Sequence, residues 1–436
     1  MLREKWPCGV SLLLVLALLG CKEQAGGPVT AIVGAKLIDG MGGPPVEDAV
    51  VVVENGRIRA AGARAQVPVP PDSTRVDGGG KVVIPGLIDA HCHYFAPPED
   101  VKKYLLVQLR WGITTTRSAG TDSPEAVALM HEAKGGKFLA PRVYTSGLGF
   151  SHPQGSPAVS GKINRPANEE EARAAVRALA AQKVDFIKIW VEGGGGRTPK
   201  ITPEIRAAIV DEAGKQRIPM VTHVTALEDL RQLADLGVTD LLHTPRDATA
   251  TAELIAYAKS KGLSFTPTLA NMESGWHYYE DPKLLENPML QGAFYPKGWA
   301  RVTDPALRAK QVAAPDLGQR KAGVQEAYRF IRAMADAGVR IVTGSDSGAE
   351  LSPVPFGGGT HREIEMLVEA GLTPLAAIRA ATLDSARVLS RSADPDYGSL
   401  QAGKAADLVL LDANPAADIR NLQRIHKVMR GGQWVP

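Results

Sequence analysis

Cysteine is nearly absent: Cys8, Cys21 and Cys92 are the only three in 436 residues. Aromatic side chains make up 5% of the chain, and neither sign of charge dominates, the formal net charge being +3. Each scarcity excludes something. With two cysteines inside the first 21 residues, Cys92 has no partner, so no intrachain disulfide is expected and a core, alone or with metal, must hold the fold. Without a block of basic residues, nucleic acid is not an implied partner. No apolar run reaches the roughly 20 residues that a spanning helix needs. No low-complexity tract or fixed-period repeat occurs. What is present is an ordinary globular balance, 44% hydrophobic and 22% charged, with 45 glycines and 31 prolines scattered among short elements.

The first residues read as a targeting segment. Arg3 and Lys5 precede an apolar stretch over 10–19 that is too short to cross a bilayer. It ends in Leu18-Leu19-Gly20-Cys21, which resembles the lipobox of bacterial lipoproteins. That resemblance implies a signal peptide over 1–20, lipid on Cys21, and a linker over 21–30. The protein would then be exported and held on a membrane by its lipid anchor only, facing periplasm or exterior.

Beyond the linker two patterns follow. Short β-type runs at 31–37, 49–54, 57–61 and 81–84 are broken by Asp39-Gly40 and Asn55-Gly56, and Asn-Gly between apolar runs is a hairpin signal. From Val82 onward apolar strands alternate with alanine-rich amphipathic helices. The strands fall at 83–89, 114–117, 142–146, 186–190, 220–223, 240–243, 264–268 and 341–345. Eight strand–helix alternations predict an α/β fold, a (β/α)8 TIM-like barrel over 85–390. An open doubly wound sheet would give a similar pattern, but no glycine-rich fingerprint follows the first strand. β character returns at 406–412 and 428–430. The segments 31–84 and 391–436 are therefore expected to form one small, discontinuous β-sandwich domain. The stretch 271–319 carries Trp276, Tyr278, Tyr279, Phe294, Tyr295 and Trp299 and reads as a lid or pocket wall.

Polar residues interrupt the apolar strands at telling places. His91 and His93 are two apart, so their imidazoles face one side of an extended segment. Lys188 lies inside Phe186-Ile187-Lys188-Ile189-Trp190, where a buried ammonium is costly without a partner. His223, His243 and Asp346 close three further strands. All six lie within or just past the C-terminal halves of predicted strands, the face on which barrels carry catalytic groups. Imidazole and carboxylate suit zinc and similar divalent ions. An ammonium has no lone pair to give. Lysine joins such a site only deprotonated, for instance as the carbamate formed with carbon dioxide, whose two oxygens can bridge two metals.

These motifs carry a resemblance. Ala35 to Gly40 with Glu54 to Ile58, Pro85 to His93, Ala381-Thr382 and Gly403 to Val409 make the chain resemble the amidohydrolase superfamily, in its imidazolonepropionase-like and prolidase-like branch. The resemblance runs from Ala31 almost to the end. It implies two divalent metal ions, by type zinc. His91, His93 and Asp346 would hold the more buried ion and His223 and His243 the more exposed one, with carboxylated Lys188 bridging both. Asp346 would serve as general base and then as proton donor. The branch offers looser guidance on substrate. Val224-Thr225 stands where dipeptidase-like relatives are expected to have alanine followed by tyrosine or histidine. His152, near the mouth, and Arg246, just past His243, are the candidate substrate-binding residues.

The resulting expectation is a metal-dependent hydrolase of small amide or dipeptide substrates, dipeptidase-like, with a cyclic amide or lactone as the alternative. A surface lipoprotein that binds without catalysis would lack a ligand or the base, and neither is missing. A homo-oligomer stays open.

Overall fold

A computed structural model describes residues 28–157, 163–349 and 353–436. The targeting segment and Cys21 lie outside the described residues. Among the described residues no helix is long and apolar enough to cross a membrane.

Strands from both chain ends build one sheet. Its order is Gln433–Trp434, Ile425–Arg430, Leu408–Leu411, Val82–Pro85, Val29–Leu37, Val46–Glu54 and Arg57–Ala63, and Thr74–Asp77 pairs with Val29–Leu37 off this path. Asn55-Gly56 closes the predicted hairpin, with Glu54 opposite Arg57. Period-2 alternation explains how this sheet docks on the rest. Val83, Leu408, Leu410 and Met429 face its own core. Val82, Ile84, Val409, Leu411 and Val428 point the other way and join the large core of the barrel.

The remaining strands are parallel and fall into two hydrogen-bonded groups: Leu87–Cys92, Ile113–Ser118 and Arg142–Thr145, and then Ile187–Val191, Met220–Val224, Asp240–Leu242, Ser264–Thr266 and Arg340–Ile341. Main-chain bonds join the groups at both seams. At one seam Asp185 N donates to Thr145 O (2.8 Å) and Phe150 N to Lys188 O (2.8 Å). At the other, Ala90 N donates to Thr343 O (2.8 Å) and His93 N to Ser347 O (2.8 Å). The ring therefore closes into the eight-stranded barrel, which excludes the doubly wound alternative.

The first predicted barrel strand, 83–89, is in fact two. Val82–Pro85 belongs to the outer sheet, and the chain crosses at Gly86 into Leu87–Cys92. Only glycine fits there: a Cβ on Gly86 would lie 2.1 Å from Thr114 Oγ1. The helices start where capping chemistry directs. Thr202 and Thr251 accept from the main-chain N–H three residues on, and Pro203 takes the first position after Thr202.

The segment 271–319 folds into short helices, among them His277–Glu280, Pro296–Val302 and Pro305–Val312. Trp276, Tyr278, Tyr279, Phe294 and Tyr295 are buried. Trp276, Tyr278 and Phe294 belong to the barrel's main core. The aromatic content that suggested a pocket wall thus anchors the segment. Tyr295 comes near the site, its hydroxyl accepting from Phe95 N at 3.0 Å, two residues beyond His93.

Candidate active site

Five of the six ligand candidates form a chain of close contacts at the C-terminal rim. His93 Nε2 lies 3.0 Å and His91 Nε2 3.3 Å from Asp346 Oδ1. The potential ligand atoms of these three all fall within 4.8 Å of one another. The His91 and His243 rings are 5.6 Å apart, centroid to centroid, and those of His243 and His223 4.2 Å. Lys188 is near enough to act electrostatically on His91, His223 and His243, and its Nζ lies 4.9 Å over the Trp190 ring. Local backbone geometry helps to aim these groups. His243 and Asp346 adopt left-handed φ values of 72° and 56°, uncommon for residues other than glycine. Asp346 N donates to His91 O (2.7 Å), so the first and last strands hold each other's ligands.

The electrostatics favour a cation. Burial, then the nearby Lys188, pushes His91 well below the usual imidazole range. Burial, then His223, does the same to His243. His223 is lowered mainly by burial. Uncharged imidazoles keep a lone pair for a metal. Burial also lowers the Lys188 amine to about 7. Its Nζ and His243 Nε2 have no hydrogen-bond partner among the described residues. Buried nitrogens left this way call for an unseen partner. The residues present thus fit a divalent cation at His91, His93 and Asp346, with a second imidazole pair beside it.

Supporting residues escaped the sequence reading. Asp89 is fully buried and accepts from His91 N (3.1 Å), Ser345 N (3.0 Å), Ser345 Oγ (2.6 Å) and Thr360 Oγ1 (2.8 Å), which ties the His91 and Asp346 loops together. Arg117 spans the barrel interior, pairing with Asp240 through both terminal nitrogens and donating Nε–H to Ala90 O at 2.6 Å. Thr268 Oγ1 lies 2.6 Å from His243 Nδ1. Glu192 Oε2 lies 3.2 Å from His223 Nε2. Trp190 and Glu192 could have been found: along the strand Ile187–Val191 and the residue after it, positions 188, 190 and 192 share one face.

The substrate candidates lie outside that chain of close contacts. His152 Nδ1 accepts from Gln154 N at 3.0 Å within its own turn. Arg246 is exposed and close enough to lower the His243 pKa, and with Thr244, Met272 and Glu326 it lines a cavity of about 450 Å³. His361 packs elsewhere, its Nε2 donating to Trp111 O at 2.8 Å.

One buried acid outside the cluster predicts a pH effect. Glu363 Oε2 accepts from Ala270 N (2.8 Å), and burial lifts its carboxyl to about 8. A carboxyl raised above its unfolded value contributes stability that is complete below about 4.5 and lost as pH rises through about 8. Glu363→Gln removes the titration. The melting temperature of the wild type relative to this variant is therefore expected to fall across that window. A flat difference would show that Glu363 stays ionised.

An eight-stranded barrel with histidines, a lysine and an aspartate at its C-terminal rim defines the class: a barrel hydrolase with a candidate metal centre. The family follows. The model described as Amidohydrolase family matches residues 82–435, and the chain belongs to that family, as a hydrolase acting on carbon–nitrogen bonds. Ochratoxinase of Aspergillus niger is 26% identical over 460 residues, covering 93% of this chain and 86% of the relative. Imidazolonepropionase of Mycolicibacterium smegmatis is 25% identical, covering 84% and 85%. A solved structure of a candidate prolidase from Bifidobacterium longum is 28% identical with a TM-score of 0.75, covering 93% of this chain and 94% of its own. The branch read from the motifs is borne out.

Proposed function

We propose that the protein is a two-zinc, dipeptidase-like hydrolase of small peptide-type amides. The observation that carries this reading is the convergence at one barrel rim of four imidazoles, Asp346 and the Lys188 amine, which has no hydrogen-bond partner among the described residues. His91, His93 and Asp346 would hold one ion and His223 and His243 the other. The Lys188 amine would add to the carbon of carbon dioxide and release a proton, giving a carbamate that would serve as a ligand to both ions. When bound, such ions polarise a carbonyl and acidify water. Asp346 takes the proton of the attacking water and returns it to the leaving nitrogen. Arg246, exposed beside His243, would clamp a substrate carboxylate and His152 would line the mouth. Similarity to a candidate prolidase supports the dipeptide.

A dipeptide library incubated with the protein, zinc and bicarbonate tests this. Release of amino acids is expected. Bound zinc without any cleavage would redirect the substrate to a cyclic amide or lactone, and no bound zinc would contradict the metal centre.

We also propose that the mature chain is an exported lipoprotein anchored through Cys21. Replacement by serine removes the thiol, so Cys21→Ser is expected to move the protein from the membrane to the soluble fraction on fractionation. Unchanged membrane association would refute the anchor.

A further inference from the structure

We propose that Glu192 is a positioning residue that fixes the tautomer and orientation of His223, so that its Nδ1 is presented to a divalent cation. The inference rests on the two-cation reading above and concerns a residue just past the end of the Lys188 strand.

Glu192 is held by three donors. Its Oε2 lies 3.2 Å from His223 Nε2 and accepts from Thr225 Oγ1 at 2.7 Å, and its Oε1 accepts from Gly194 N at 2.5 Å. Its side chain is only 17% exposed, as is that of His223. A carboxylate so arranged accepts and does not donate. An imidazole that binds a cation is neutral, so in that state the Glu192 carboxylate places the His223 proton on Nε2 and leaves the lone pair on Nδ1. The main chain turns back through Gly194, at φ 55°, which brings the Gly194 N–H onto the Glu192 carboxylate.

His243 is set in the opposite sense. Thr268 Oγ1 donates to Pro267 O at 2.7 Å, so toward His243 Nδ1, 2.6 Å away, it can only accept. His243 thereby carries its proton on Nδ1 and its lone pair on Nε2, the atom with no partner among the described residues. The two rings meet edge to face at 65°, one offering Nδ1 and the other Nε2. Carboxylates behind metal-bound imidazoles fix the ring and raise its basicity, and losing one typically weakens metal binding about 10–100-fold. A plain ion pair with no metal role would leave cation binding untouched.

Zinc titration against a chromophoric chelator, on the full-length protein in detergent, decides this without reference to activity. Glu192→Ala is expected to weaken the second zinc about 10–100-fold and to spare the first. Glu192→Gln keeps an acceptor oxygen without the charge and is expected to fall between Ala and wild type. It also keeps the inference testable if Ala does not fold. The metal-free melting temperature of the Gln variant is expected to match that of wild type. Two zinc ions bound as tightly in the variants as in wild type would overturn the role of Glu192 alone. So would a lowered melting temperature with unchanged zinc affinity. A wild type that binds no second zinc would overturn the two-cation reading and this inference with it.

Discussion

Asp346→Asn is expected to lower kcat by about 10²–10⁴-fold, the usual weight of a positioned general base, while leaving the fold intact. The fold survives because asparagine is nearly isosteric and is among the residues that tolerate the left-handed φ of 56° found here. The main-chain bond from residue 346 N to His91 O does not involve the side chain. What disappears is the charged oxygen that lies 3.0 Å from His93 Nε2 and 3.3 Å from His91 Nε2. An amide still offers a carbonyl oxygen, so zinc binding should weaken less than turnover. Steady-state kinetics with zinc counted on the same sample separates the two effects. Turnover near the wild-type rate would remove Asp346 from proton transfer.

Lys188→Met should abolish activity and yet stabilise the metal-free protein. Lys188 is fully buried, and its Nζ has no hydrogen-bond partner among the described residues. A buried donor left unsatisfied costs about 1–3 kcal/mol, more if charged. The Trp190 ring 4.9 Å away offsets part of that through a cation–π contact of about 0.5–2 kcal/mol. Methionine fills similar volume without the amine, so the metal-free variant is expected to melt higher. It cannot form a carbamate, so zinc content and hydrolysis should both drop. Stability gained with activity lost is the mark of a residue kept for function at the expense of the core. A destabilised but active variant would mean that Lys188 is structural.

Much of this was legible in the sequence because barrel strands are short, apolar and bounded by helices with strong periodicity. A polar residue such as Lys188 in Ile187–Val191 stands out against that background. The hairpin at Asn55-Gly56 was likewise local chemistry. Three features were not legible for physical reasons. The switch at Gly86 depends on Thr114, which is distant in sequence. The role of Asp89 depends on Ser345 and Thr360, on the opposite side of the barrel seam. The aromatic residues of 271–319 look the same in sequence whether they face a substrate or a core, and here they are buried. Glu192 was legible in principle, since alternation from Lys188 places it on the same face, but its partner Thr225 becomes visible only once Ile187–Val191 and Met220–Val224 pair in register.

Zinc counted per chain alongside amide hydrolysis, before and after exhaustive chelation, tests the two-cation hydrolase most directly. Two zinc ions per chain are expected, with hydrolysis lost on chelation and restored when zinc and bicarbonate are returned. Undiminished hydrolysis by protein stripped of metal would contradict the reading.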